Sequence, residues 1–333
     1  MIVEFDDPAA CDVAQAGGKA ARLADMVQAG LPVPPGFAVS AGAWRTFLAT
    51  TGLAGSPPAE LRELVADAPL PTEIEEPVRA AYARLAERLG VVDPPVAVRS
   101  SATVEDAAAD SFAGQYETYL WVSGADAVLR AIQRCWAGLF SPAGLAYAEH
   151  AGIRVRDNAM AVAVQGMVQA RCAGVMFTLD PATGDPSVIC LEAAWGLGSA
   201  VVGGEVTPDG YTVSKPSMAI RTRRLQAKHI RHVADLTAGG VRVEPVPEAL
   251  REGACLSDEE VLELARLGRR IERHYGAAQD IEWAIDERLE FPDSVLLLQS
   301  RPETVWSRRR GEAVLDPAAG ALGWIAATLR KGA

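Results

Sequence analysis

Asp280-Ile281-Glu282-Trp283-Ala284-Ile285 and, after a polar loop, Val295-Leu296-Leu297-Leu298-Gln299-Ser300-Arg301 form the stretch whose reading decides the fold. Both runs are strand-like, and the loop at 286–293 lets them fold back on each other as a hairpin. Side chains in a strand alternate between faces, so Asp280 and Glu282 share one face, as do Gln299 and Arg301. Two carboxylates, an amide oxygen and a guanidinium converging across a hairpin would make a hard-oxygen Mg2+ site beside a phosphate clamp. The alternating charges of a half-exposed strand would give the same spacing. The pattern alone leaves both readings open.

Upstream, the second half continues as sheet. Residues 160–168 and 174–178 are apolar strands, and 169–173 between them is a connection of hairpin length. Further strands are expected at 187–193 and 209–213. A helix at 257–275 starts with Ser257 as N-cap and Glu260 three residues on, a capping box. The first half mixes helix and strand. Gly17-Gly18-Lys19 opens a helical pattern, Leu31 to Val39 turns into a strand, and 74–89 and 125–150 read as helix. Val96-Ala97-Val98 is a short buried strand that delivers Arg99-Ser100-Ser101 at its end. The expected class is α+β.

Two more features ask for a phosphate. Glycines and a lysine at a helix start meet the unpaired N–H groups and the dipole that favour anions. Gly17-Gly18-Lys19 is not a full P-loop, because Val13 stands at the first glycine position and Ala20 follows the lysine. A loop glycine pair beside an exposed lysine remains the alternative. Arg99 has the planar fork that grips two phosphate oxygens together. Pairing with Glu105 or Asp106 to hold a turn is its alternative.

Composition narrows the classes. Lys and Arg total 32 against 43 Asp and Glu, a formal charge of -11. A phosphate-backbone binder needs clustered cations, so nucleic acid is not expected as a partner. Five widely spaced cysteines with no CxxC pair read as reduced thiols in a cytoplasmic protein. The N-terminus has no basic region followed by an apolar run, so no signal peptide is expected. The apolar stretch 187–204 carries Glu192 and four glycines, which suits a buried strand and loop and not a membrane span.

A series of motifs in fixed order then carries a resemblance. It runs through Gly17-Gly18-Lys19, Gly30-Leu31-Pro32-Val33-Pro34-Pro35-Gly36-Phe37, Val98-Arg99-Ser100-Ser101, Ser111-Phe112-Ala113-Gly114-Gln115 and Val164-Gln165-Gly166-Met167-Val168. It continues through Gly174-Val175-Met176-Phe177-Thr178, Trp195-Gly196-Leu197-Gly198 and Gly204-Glu205-Val206-Thr207-Pro208-Asp209, and closes on the hairpin. Over roughly residues 12–306 the chain resembles the N-terminal ATP-grasp domain of phosphoenolpyruvate synthase, pyruvate phosphate dikinase and rifampicin phosphotransferase.

The resemblance implies two lobes with mixed or antiparallel sheets enclosing a nucleotide cleft. The first would span 1–155, the second 156–306, with a tail at 307–333. Lys19 and Arg99 would hold ATP phosphates, and Gly114 would belong to a lid with Thr118 nearby. Gln165, Met167 and Val168 would meet adenine at the hinge. Glu282 and Gln299 would ligate Mg2+, and Arg301 would contact the transferring phosphates. The implied activity is transfer of phosphoryl groups from Mg-ATP to a histidine, with release of AMP.

In this family the histidine sits on a swivelling domain that this sequence does not include. The four histidines (His150, His229, His232, His274) lack the Thr-Ser-His setting of that carrier and read as surface or helix residues. His229 and His232 fall in a basic patch with Arg221, Arg223, Arg224, Lys228 and Arg231, which reads as a solvated face. The expected partner is therefore a separate phosphohistidine carrier. A phenylphosphate synthase-like subunit, a stand-alone small-molecule kinase and a non-catalytic nucleotide-binding module are the alternatives. Ser199 for Glu, Gly138 for Ser and Ala148 for Arg depart from the pattern without removing an expected ligand.

Overall fold

The first sheet is built from five short strands that are distant in sequence. In the computed structural model, which describes residues 1–103, 117–150, 159–237 and 239–306, these are β1 (Ile2–Glu4), β2 (Gly36–Val39), β3 (Val96–Ala102), β4 (Thr118–Val122) and β5 (Met160–Gly166). They lie in the order β1-β2-β5-β3-β4. Every pair is antiparallel.

The second sheet holds β6 (Ala170–Phe177), β7 (Val188–Trp195), β8 (Asp209–Ser214) and β9 (Ala219–Arg224). A separate ribbon follows, β10 (Ile230–Ala234) with β11 (Val241–Pro245), and the chain then returns through β12 (Gln279–Asp286) and β13 (Val295–Pro302). The sheet order is β13-β12-β6-β7-β8-β9, again antiparallel throughout. The hairpin expected at 280–301 is β12–β13.

Nine helices are described: α1 (Val13–Gln28), α2 (Ala41–Thr51), α3 (Pro58–Asp67), α4 (Thr72–Leu89), α5 (Ala125–Gly138), α6 (Pro142–His150), α7 (Ser199–Val202), α8 (Glu248–Arg251) and α9 (Asp258–Tyr275). Alternation along β3 and β5 turns Val96, Val98, Met160, Val162 and Val164 into a core with Trp44, Phe47 and Trp136 from α2 and α5. Trp44 and Trp136 pack with ring centroids 5.6 Å apart. The opposite face meets α1. That helix shares a second core with α9 and with Ile281, Trp283 and Ile285 of β12, so it joins the two sheets. The capping box at Ser257–Glu260 is present and starts α9.

Three expectations change. The connection at 169–173 does not close a hairpin: β5 pairs with β2 and β3, whereas β6 pairs with β12 and β7. Hairpin length was there, but the chain uses it to cross between sheets. Accordingly β5, placed by the 155/156 boundary in the second lobe, lies in the first sheet. The helical run 125–150 is two helices, α5 and α6.

The basic patch is not one solvated face either. Lys228 is fully buried, donating from Nζ to Asp209 Oδ1 at 2.6 Å. His232 is buried on β10, with Nδ1 at 2.8 Å from Ser199 Oγ and Nε2 at 3.3 Å from Glu205. Among the described residues no helix is long and apolar enough to cross a membrane. All five cysteines are free thiols. Burial pushes the Cys135 and Cys172 thiols up to about 12.

Candidate functional site

Arg99 reaches from the first sheet to the second. On β3 it shares a face with Ala97 and Ser101, turned away from the aromatic core and towards α1. Its Nη2 donates to Glu282 Oε2 at 3.1 Å and to Gln299 Oε1 at 2.6 Å, and its Nη1 to the Leu298 carbonyl at 3.0 Å. The side chain is only 12% exposed. Its Nε is buried with no acceptor among the described residues. The alternative partners Glu105 and Asp106 lie outside those residues; Glu282 is the partner observed.

The hairpin register explains why these three acceptors coincide. Glu282 stands directly opposite Gln299, and Asp280 opposite Arg301, on the same face. On the other side of the Glu282–Gln299 rung, between Glu282 and Trp283, a bulge shifts the ladder, so that Trp283 faces Leu297 and Leu298 is the extra residue. A bulged residue drops out of the ladder, which leaves the Leu298 carbonyl available to Arg99. Arg301 sits two rungs further along, in the next pair on that face. It pairs with Asp280 through Nε at 2.7 Å and Nη2 at 2.6 Å, and is 44% exposed. Burial pushes the Asp280 carboxyl above its ordinary value, against the pull of Arg301.

Lys19 is placed by a break inside α1. Gly17 has φ 71 and interrupts the helix, which resumes at Gly18 with Lys19 in its first turn. Ser101 fixes the break: its Oγ donates to the Ala16 carbonyl at 2.8 Å and accepts from the Ala20 N–H at 3.0 Å. The neighbouring strand thus supplies the cap, from the same face as Arg99. Lys19 is half-buried there, and its charge reaches Cys135 on α5 together with that of Glu117. Thr118 pairs with Arg99 in the β3–β4 register and is exposed. Gly114 lies outside the described residues.

At the crossover, Gln165 is buried opposite Ala97 on the Arg99 face, and its Nε2 has no acceptor among the described residues. Met167 is half-buried and donates its N–H to the Pro95 carbonyl at 2.9 Å. Val168 joins Ala173 and Ala284 in a small apolar cluster, with Ala170, Leu296 and Leu298 packed against it. This apolar floor lies between the crossover and the Glu282–Gln299 rung. Asp286 clamps the crossover by accepting from the Gln169 N–H at 3.3 Å and pairing with Arg288 at 2.8 Å.

The structure therefore brings Arg99, Glu282 and Gln299 into direct contact. Gln165 and Lys19 belong to the same side of the first sheet, and Arg301 is in the next pair on the hairpin's face. The sequence reading missed Ser101, Leu298, Asp286 and the apolar floor. Ser101 was within reach, since Ser100-Ser101 follows Arg99; the bulge had no signal in a run of three leucines.

Comparison with known proteins shows the family. The family model described as pyruvate phosphate dikinase, AMP/ATP-binding domain, matches residues 13–320. A probable phosphoenolpyruvate synthase of Staphylothermus marinus is 41% identical, over 93% of this chain and 42% of its own length. The phosphoenolpyruvate synthase of Aeropyrum pernix is 40% identical, over 90% of this chain and 42% of its own. A rifampicin phosphotransferase from a Streptomyces species is 39% identical, over 91% of this chain and 36% of its own length. The chain thus spans well under half the length of these relatives. On a family match that covers nearly all of it, the chain belongs to the pyruvate phosphate dikinase AMP/ATP-binding domain family.

Proposed function

We propose that the chain is the ATP-binding, phosphorylating part of a dikinase-type phosphotransferase, acting on a histidine carried by another domain or protein. The observation that carries this reading is the contact of Arg99 with Glu282 and Gln299. A cation from one sheet meets a carboxylate and an amide oxygen from the other, where phosphates and their counter-ion would need them.

The donor set fits magnesium. Mg2+ takes hard oxygens and keeps most of its remaining positions for phosphates and water, so one carboxylate and one amide oxygen suffice. Glu282 Oε2 and Gln299 Oε1 would hold it, and bound there it would neutralise charge building on the phosphates.

The chain's own residues do the rest. The apolar floor of Val168, Ala173 and Ala284 takes the flat adenine, and the unpaired Gln165 Nε2 supplies a donor at its edge. Lys19 and Arg99 draw in the phosphates, with the orphaned Arg99 Nε finding an acceptor there. Arg301 lies towards the end where the phosphoryl group leaves. Phosphoryl transfer needs positioning and charge neutralisation more than a protein nucleophile, so the acceptor imidazole need not belong to this chain. Release of AMP fixes the bond that breaks as the one between the α- and β-phosphates; the two outer phosphates pass to the imidazole, and the terminal one then goes to water as inorganic phosphate, leaving phosphohistidine. We divide the chain into lobes at the crossover, and the free thiols and ATP substrate suit the cytoplasm.

Purified chain incubated with Mg-ATP, with and without a carrier-histidine protein, tests the proposal. AMP and phosphohistidine should form only when the carrier is present, and Glu282→Gln should abolish both. Turnover by the chain alone would make it a stand-alone kinase, and nucleotide binding without turnover in either arm would make it a binding module.

A further inference from the structure

Arg99 lies where a divalent cation would have to sit. Its Nη2 donates to both Glu282 Oε2 and Gln299 Oε1, and its Nη1 holds the Leu298 carbonyl beside them. The one carboxylate and the one amide oxygen facing each other on that rung are therefore both taken by a guanidinium. Asp280, the next carboxylate on the same face, is taken by Arg301. We infer that Arg99 gates the metal site, so that a divalent cation binds Glu282 and Gln299 only once a nucleotide's phosphates have drawn Arg99 away. This rests on the proposed function and adds an order of binding to it.

Two features support a gate over a fixed strut. Arg99 is fixed at its base by a strand whose neighbours Ser100 and Ser101 are pinned, while its head is held by hydrogen bonds alone and can swing when those are exchanged. In its present posture one of its buried donors, Nε, has no acceptor among the described residues. A buried unpaired donor disfavours the posture, and phosphate oxygens offer the bidentate geometry that would satisfy it. A guanidinium within hydrogen-bonding reach of both oxygens repels an incoming divalent cation. With the guanidinium moved onto phosphate, the same positive charge no longer opposes it. Nucleotide and metal must then strengthen each other's binding by the same factor.

Mn2+ binding followed by the loss of its free electron paramagnetic resonance signal reads this without turnover. The full chain should take up Mn2+ weakly alone and at least about tenfold more tightly with a non-hydrolysable ATP analogue, because removing the repulsion is worth at least that. Arg99→Gln should bind Mn2+ alone about tenfold more tightly than the unaltered chain, bind the analogue more weakly, and show a coupling factor reduced to what direct phosphate ligation of the metal supplies. Adding Glu282→Gln to Arg99→Gln should erase the gain, which places it at this rung.

An unaltered chain that binds Mn2+ equally well with and without bound analogue overturns the gate, whether or not the variants fold. So does a folded Arg99→Gln protein with unchanged or weaker affinity for Mn2+ alone. A chain that binds neither the analogue nor its Mn2+ complex overturns the proposed function instead.

Discussion

Gly17 shows how one residue places a functional lysine. Its φ of 71 is a left-handed conformation, and a Cβ there would lie 1.9 Å from the Ser101 carbonyl oxygen. Gly17→Ala therefore forces the backbone of α1 or β3 to move, and should cost about 2–4 kcal/mol in denaturant unfolding. Ser101→Ala removes only the cap and should cost about 1 kcal/mol. A Gly17→Ala protein as stable as the unaltered chain would mean that the break is not needed.

Lys228 makes a contrasting case. It is fully buried against Asp209, which also accepts from the Gln226 and Cys255 N–H groups at 2.9 and 3.0 Å. Lys228→Met would strand that carboxylate and should cost about 3–5 kcal/mol, read by the same unfolding measurement. The sequence placed Lys228 among surface cations, because nothing local tells a buried lysine from an exposed one when its partner lies elsewhere in the chain.

At the scale of the element, the β12–β13 hairpin was the most legible part of the molecule. Period-two parity correctly paired Asp280 with Glu282 and Gln299 with Arg301. Parity says nothing about register, so the bulge at Leu298 was invisible, and with it the third acceptor for Arg99. The crossover at 167–169, expected as a connection of hairpin length at 169–173, was misread for a related reason: a short loop between two apolar strands looks the same whether they pair or part. What separates them here is partner choice, set by β2 and β3 on one side and β12 on the other.

Asp286 holds that crossover, and its charge is testable. Burial opposes its ionisation, but the Arg288 guanidinium and the Arg288 and Gln169 N–H groups outweigh burial and hold its carboxyl below the ordinary 3.8. A depressed carboxylate stabilises the fold above its unfolded value, and that contribution fades as pH falls through the lower folded value. Asp286→Asn should thus cost about 1–3 kcal/mol at neutral pH. Thermal melts should show the difference shrinking below about pH 4, where the unfolded carboxylate titrates. A difference independent of pH would assign the effect to packing alone.

Across the whole molecule, α1 is the joint between the two sheets. It carries Lys19 near its break, packs Ala16 and Ala20 into the core shared with Trp283, and reaches α9 through Asp25, which lies 2.8 Å from His274. The α+β class and the two-sheet plan could be read from spacing and motif order. The way the sheets meet could not, since it depends on a guanidinium and a bulged carbonyl far apart in the chain. Both halves must close on one ligand for the proposed chemistry, and the direct test is a crystal structure of the chain with Mg2+ and a non-hydrolysable ATP analogue. The adenine should lie on Val168, Ala173 and Ala284, with the phosphates between Lys19 and Arg99 on one side and Glu282 and Gln299 on the other. An analogue bound elsewhere, or Arg99 still on Glu282 and Gln299 with the phosphates absent from that gap, would contradict the account.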